Sequence, residues 1–327
     1  TKVDKEFRSL NVLMREAKNK PAPINGIITK VQQLYEFVNE ISISPDPAKM
    51  SFDIAKARYQ SGAGNAITSL YAYAKNTPQP VKRWLMTLSS ETWKVVLQSA
   101  HRYVNSEWRT QIYEPFKSGL AGRYPIKRSS RDVLALFDFT EFFKPEGTID
   151  KFYLAYMKPF IKTRGGQWSS RVIDKYSLGL SRKTLNQVQR AQSIKNIFFR
   201  ANPAMPSLSF QLKPHKMRKT DARFTLEVGD KSIAYSHGPK FWKTLKWQGD
   251  DEHNRVRIIF EDLDEREHSK DYDGPWAWFR LQDHSVLKKT RKSNVYLVTY
   301  NINKGESRVG SQQIAHAVTY QIKAKSV

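Results

Sequence analysis

Seven histidines, a Ser236-His237-Gly238 step and two glycine pairs are the places where this chain of 327 residues could do chemistry. His101 stands alone in the first part, whereas His215, His237, His253, His268, His284 and His316 all fall in the second. None belongs to an HExxH pattern or a compact zinc spacing, and no cysteine is present to complete a ligand set. His268, beside Glu265 and Glu267, is the best placed of them for a weak metal site, but no catalytic metal is expected. Neighbours in a strand point to opposite faces, so Ser236 and His237 do not pair as nucleophile and base. His237-Gly238-Pro239 reads instead as a strand exit, with glycine free in its dihedrals and proline fixed in φ. Gly62-Ala63-Gly64 lacks the third glycine and preceding strand of a dinucleotide loop, and Arg164-Gly165-Gly166 has no phosphate-loop lysine after it. Both read as turns or close-packing points, and neither a cofactor nor a catalytic residue is expected.

The formal charge is +24, from 55 basic and 31 acidic residues, which raises nucleic acid or an anionic membrane as a partner. Most of the excess lies before Pro206 and is dispersed. No RNP signature, zinc finger or helix-turn-helix pattern accompanies it, so nucleic acid is not the expected partner. Residues 261–273, EDLDEREHSKDYD, reverse the sign locally. They read as a solvated loop that interrupts the strand pattern, with Glu261, Asp262, Asp264, Glu265, Glu267, Asp271 and Asp273 as candidate contacts to a basic partner. Trp276-Ala277-Trp278-Phe279-Arg280 allows an aromatic carbohydrate platform, but one strand face packing Trp276 and Trp278 is the simpler account. Absence of cysteine excludes a disulfide scaffold and is silent on location. No run of 18 apolar residues occurs, and the start at Thr1-Lys2-Val3-Asp4, with neither an initiator Met nor a signal peptide, reads as that of an excised piece.

The elements that must carry these residues change period near Pro206. From Phe7 to Arg200 the apolar spacing is mostly helical: Ile27, Val31, Leu34, Phe37, Val38 and Ile41 form one stripe, ended by Ser44-Pro45-Asp46-Pro47. A helix is expected over 53–75, stopped by residues 76–80, which also mark a possible subdomain boundary. One or two long helices follow, with Trp84, Trp93 and Trp108 as core anchors, and a further helix places Leu185, Val188, Ala191, Ile194 and Phe198 on one side. After Pro206 the pattern alternates, in SLSFQL, RFTLEV and RVRIIF, with further strands expected over 276–282, 295–302 and 316–323. Turns are expected at Val228-Gly229-Asp230 and Lys304-Gly305. The fold class is therefore multidomain α+β: a helical bundle, residues 1–206, followed by a mainly antiparallel β-sandwich of jelly-roll type, residues 207–327. Between them in character stands LAGRYPIKRSSRDVLALFDFTEFFKPEGTIDKFYLAYMKPF, denser in aromatic anchors, turn residues and paired charges than a plain bundle needs. It specifies a shape that other proteins grip.

Taken together, these residues resemble the C-terminal periplasmic region of the TssM/IcmF family, the large inner-membrane component of type VI secretion systems, with relatives in type IVB systems. Arg123, Tyr124 and Pro125 stand in the family's RYP position, and Phe142, Phe143, Pro145 and Gly147 in its FFxPxG position. Tyr235, His237, Gly238 and Pro239 match YxHGP, and Gly274, Pro275, Trp276, Ala277, Phe279, Arg280 and Leu281 match GPWAxFRL. The chain departs from the pattern at Trp247-Gln248-Gly249, where WPG is frequent, and in a tail lacking the frequent asparagine-proline-phenylalanine ending. The resemblance implies a non-enzymatic scaffold in the periplasm of a Gram-negative bacterium, projecting from membrane helices before Thr1. It also implies docking of the outer-membrane lipoprotein TssJ by the β module, contact with TssL through regions outside this chain, and self-association. For docking, the loops around Gly238-Pro239 and 261–273 are favoured. An accessory role in a type IVB system is the nearer alternative; a cell-wall binding module or hydrolase is the distant one.

Overall fold

The computed structural model describes residues 2–15, 22–250, 255–303 and 314–324. The chain divides into two compact units, residues 1–113 with 151–189, and residues 114–150 with 190–327.

The first unit is helical: α1 (Lys2–Met14), α2 (Pro23–Ile43), α3 (Pro47–Ser61), α4 (Ala66–Ala74) and α5 (Val81–Trp108). α2 ends at the expected proline cluster, and α5 starts where the 76–80 stop releases the chain. The single helix expected over 53–75 is two. Gly62, at φ +68°, closes α3 in the left-handed region, and Asn65 opens α4 with a capping box in which Asn65 and Thr68 each accept the other's backbone N–H. Trp93 is a core anchor as expected, its indole donating to the Ile173 carbonyl at 3.3 Å. Trp84 is not, being 57% exposed. Arg58 pairs with Asp174 and lays its guanidinium 4.2 Å from the Trp93 ring centre. A short hairpin, β1 (Ile161–Arg164) and β2 (Gln167–Ser170), turns through Gly165 and Gly166, both at positive φ, as the turn reading of that pair requires. No helix among the described residues is long and apolar enough to cross a membrane.

The second unit is built on two antiparallel sheets. The larger has the order β6 (Lys243–Gln248), β3 (Ser207–Met217), β11 (Ile314–Ala324), β10 (Tyr296–Asn303) and β9 (Val286–Lys289). The smaller has the order β5 (Lys231–Tyr235), β4 (Asp221–Val228), β7 (Val256–Asp262) and β8 (Glu267–Tyr272). Phe224 of the smaller sheet packs on its neighbour Phe260 and meets Tyr300 and Tyr320 from the larger, with Phe224 and Tyr300 stacked at 5.9 Å, so the sandwich core is aromatic. The strands that alternate most clearly in sequence, β3, β4, β7, β10 and β11, are those with one face in this core, and Gly229 turns β4 into β5. The Lys304-Gly305 turn lies outside the described residues.

Two expectations are corrected. Residues 276–282 are not a strand: α9 (Ala277–Asp283) occupies them, entered through Gly274 at φ +90°. Trp276, Ala277, Trp278 and Leu281 are all buried, so the run has no alternating faces, and a short apolar run of this kind carries no period from which to choose strand over helix. Nor are residues 261–273 an interrupting loop. They form the end of β7, a four-residue turn at 263–266 and the whole of β8. β8 is an edge strand that buries only Tyr272, so its polar sequence hides its conformation.

Candidate docking surface

Several motif residues of the second unit converge at one seam. Tyr124 is buried, donates its hydroxyl to Asp283 at 2.9 Å, and has the Arg280 guanidinium 4.2 Å from its ring centre. Burial and the Asp283 carboxylate together push its hydroxyl well above the ordinary tyrosine value. Its backbone bridges Asp132 and Leu134 at 2.7 and 2.8 Å, and Arg128 pairs with Asp283 at 3.0 Å. Trp276 then donates its indole N–H to the Leu134 carbonyl at 2.7 Å and packs edge-on against Phe139 at 5.0 Å. Trp247 stacks on Trp276 and donates to the Pro275 carbonyl at 3.1 Å. Arg123 pairs with Asp138 at 3.5 Å. Tyr124 and Trp276, about 150 residues apart in sequence, are thus joined through one residue, Leu134.

α6 (Leu136–Phe143) buries Phe139, Phe142 and Phe143, and the chain reverses through Pro145 and Glu146 into α7 (Thr148–Phe152). Gly147 lies in that reversal, where a Cβ would sit 2.7 Å from the Glu141 carbonyl oxygen and 2.9 Å from that of Lys144. Both are backbone atoms and cannot swing away. Gly147→Ala is expected to lower the free energy of unfolding by about 1–3 kcal/mol in a denaturant titration. Asp150 follows, buried, accepting from Lys195 at 2.6 Å, the Gln192 amide at 2.9 Å and the Glu146 backbone N–H at 3.0 Å. Burial opposes its charge, but these three donors outweigh it and hold the carboxyl below its ordinary value.

The exit of β5 is shaped by His237 rather than by Gly238. His237 takes φ +59° and places its Nε2 2.7 Å from the Asp221 carbonyl. Asp221 is fully buried; its carboxylate accepts from His316 Nδ1 at 2.7 Å and from the Ala317 N–H at 3.1 Å. His268 stacks on His316 at 4.2 Å and reaches Asp262 at 3.3 Å. His237, His268 and His316 are therefore each engaged with an aspartate, and Ser236 stands outside this network. No group of three or more His, Cys, Asp or Glu side chains among the described residues could hold a metal ion. Beyond Pro239, Phe241 projects 67% exposed.

Across the sheet, the acidic hairpin is organised as well as charged. Asp262 accepts the backbone N–H of Asp264 at 2.9 Å and of Arg266 at 3.0 Å, and Glu265 adopts φ +61°. The Arg266 N–H leads the contacts that, against burial, hold the Asp262 carboxyl below its ordinary value. Glu261 and Glu267 face each other across β7 and β8. Asp271 is neutralised by Arg255 at 2.6 Å and Arg257 at 3.6 Å, whereas Asp264 meets Arg266 only at 3.6 Å. Asp273 is exposed before Gly274. Of the seven acidic candidates, then, Asp271 is a strand clamp, Asp262 holds the turn, and Asp264, Glu265 and Glu267 are exposed around the protruding Leu263, which the sequence reading did not single out.

Comparison with known proteins places these features in a family. The chain matches the helical domain of type VI secretion protein IcmF over residues 99–204 and the IcmF C2-like domain over residues 210–311. It is 27% identical over 304 residues to the type VI secretion system component TssM1 of Pseudomonas aeruginosa. That match covers 92% of this chain and 27% of the relative, so the chain spans about a quarter of the relative's length. Among solved structures, its fold resembles a chain of a type VI secretion system membrane core complex, with TM-score 0.75, 18% identity, and coverage of 99% of this chain and 67% of the other. It also resembles the C-terminal domain of the type VI protein TssM from EAEC, with TM-score 0.56, 18% identity, and coverage of 70% and 91%. With both domain types present in order along most of its length, the chain belongs to the TssM/IcmF family of type VI secretion proteins.

Proposed function

We propose that this chain is a non-enzymatic structural part of an envelope-spanning type VI secretion membrane complex. In this reading it lies in the periplasm, with residues 1–206 carrying a docking domain, residues 207–327. The docking domain grips the outer-membrane lipoprotein TssJ, TssL is engaged by parts of the protein outside this chain, and copies associate with one another. The observation that carries the reading is the ordered pair of IcmF domain matches. The geometry supports it: the β module presents two exposed apolar residues, Phe241 in the segment after β5 and Leu263 on a turn braced by Asp262, while its buried histidine and aspartate groups bond to each other. Preorganised turns of this kind lose little entropy when a partner closes on them.

Calorimetric titration of the chain with the lipid-free lipoprotein at physiological salt tests the docking. Saturable binding with a defined stoichiometry, weakened at least tenfold by Phe241→Asp or Leu263→Asp, is the expected result. No heat with both proteins folded would remove TssJ as the partner of this module.

A further inference from the structure

The outer strands of the four-stranded sheet carry complementary features. Beside β5, β6 covers β3 only as far as Leu212, and the two sheets part over a cavity of about 110 Å³ walled by Pro214, Ile233, Ala234, Pro239 and Phe241. Lys243 also lines it, and Lys240 stands on the same connecting segment, its ammonium 2.6 Å from the His215 carbonyl. Tyr320, 1% exposed, is part of the wall, and its buried hydroxyl has no hydrogen-bond partner among the described residues. A hydroxyl left in that state is a cost that no described residue offsets. The site is apolar, rimmed with cations, and holds a donor without an acceptor.

At the β7–β8 turn the same chain presents the converse. Leu263 is 70% exposed between Asp262 and Asp264, with Glu265 next, and the Asp262 side chain fixes the turn. We propose that the turn of one copy seats in the β5-side cavity of another copy. Leu263 enters the apolar walls, and the carboxylates of Asp264 and Glu265 meet Lys243 and the Tyr320 hydroxyl. The inference rests on the reading of this β module as a docking module in a multi-copy complex. Because β5 and β8 are opposite edges of one sheet, a copy that gives its turn keeps its own cavity free. The contact is head to tail, and successive copies build a ring or a filament rather than a two-fold dimer. With a net charge of +24, the copies repel at long range, a repulsion screened beyond roughly 8 Å at physiological salt, whereas the seated pair is of opposite sign.

Sedimentation velocity over rising concentration, at physiological salt, tests this with two one-sided variants. Leu263→Asp spoils the turn and leaves the cavity, while Lys243→Trp, at an exposed position paired with Leu212 and on its face of the sheet, fills the cavity and leaves the turn. Wild type is expected to associate progressively, each variant alone to remain monomeric, and an equimolar mixture of the two to stop at a one-to-one pair. Tyr320→Phe is expected to unfold at a higher temperature yet associate about tenfold more weakly, having lost a charge-assisted hydrogen bond. A wild type that stays monomeric, a variant that associates as wild type does, or a mixture that forms no pair would overturn the proposal. A Tyr320→Phe chain that is stabilised and associates unchanged would overturn the role of the hydroxyl. Because this contact uses Leu263 and the Phe241 wall that the lipoprotein reading also uses, the two partners compete for one surface, and titrating each alone separates them: self-association without lipoprotein binding defeats only the TssJ assignment, and lipoprotein binding without self-association defeats only this one.

Discussion

Trp276→Ala is expected to lower the free energy of unfolding by about 3–5 kcal/mol, the range for removing a large aromatic from a packed core. Against a typical total of about 5–15 kcal/mol, that is enough to unfold a substantial fraction of the molecules under mild stress. The loss has two parts. The indole fills a buried site between Phe139 and Trp247, and its N–H satisfies the Leu134 carbonyl at 2.7 Å, which no phenylalanine could do. Trp276→Phe therefore separates them: it keeps most of the packing and is expected to cost only about 1–2 kcal/mol for the stranded carbonyl. Leu134 in turn donates its own N–H to Tyr124. The damage in Trp276→Ala should thus be visible by hydrogen exchange as lost protection at Leu134, with little change at Phe224 or Tyr300 in the sandwich core. A Trp276→Ala chain within about 1 kcal/mol of wild type would show that the seam is held by something other than this indole.

That seam also marks where sequence reading stopped. Composition and period placed helices before Pro206 and strands after it, because α5 and the strands of the core each bury one regular face. The same reasoning failed where no regular face exists. β8 is an edge strand with only Tyr272 buried, and α9 is about two turns crowded with aromatics. The motifs RYP and GPW were both visible, yet nothing in either says that the Tyr124 loop and Trp276 meet at Leu134, since side-chain-to-backbone contacts leave no complementary pair of residue types to read. His237 was legible as a strand exit, but the buried aspartate that receives it was not: Asp221 sits in a strand, and only the folded chain brings His316 to it. The idle hydroxyl of Tyr320 had no signature at all, because a tyrosine in an alternating strand looks the same whether its oxygen is satisfied or not.

Lys195→Met should be the second severe variant, and its dependence on pH identifies the cause. Among the described residues, Lys195 supplies the one cation on the buried Asp150 carboxylate, at 2.6 Å; the Gln192 amide and the Glu146 N–H are neutral donors. Removing the ammonium leaves a buried charge with two hydrogen bonds and no counter-ion, a change that costs about 3–5 kcal/mol at neutral pH. In the wild-type fold the carboxyl titrates below its unfolded value of about 3.9. The stabilisation it brings is therefore complete above that pH and is lost as pH falls through the lower folded value. In Lys195→Met burial is no longer outweighed, so the folded carboxyl takes up its proton at a higher pH than in wild type. The gap in unfolding free energy between the two chains should then be widest near pH 7 and narrow steadily as the solution is acidified towards pH 4, followed by urea titrations at each pH. Asp150→Asn with Lys195→Met, which has no charge to strand, should recover much of the loss at pH 7 and show little of this pH dependence. A gap that stays constant across that range would assign the damage to lost packing of the lysine stem, which projects from α8 (Arg182–Phe198), rather than to the ion pair.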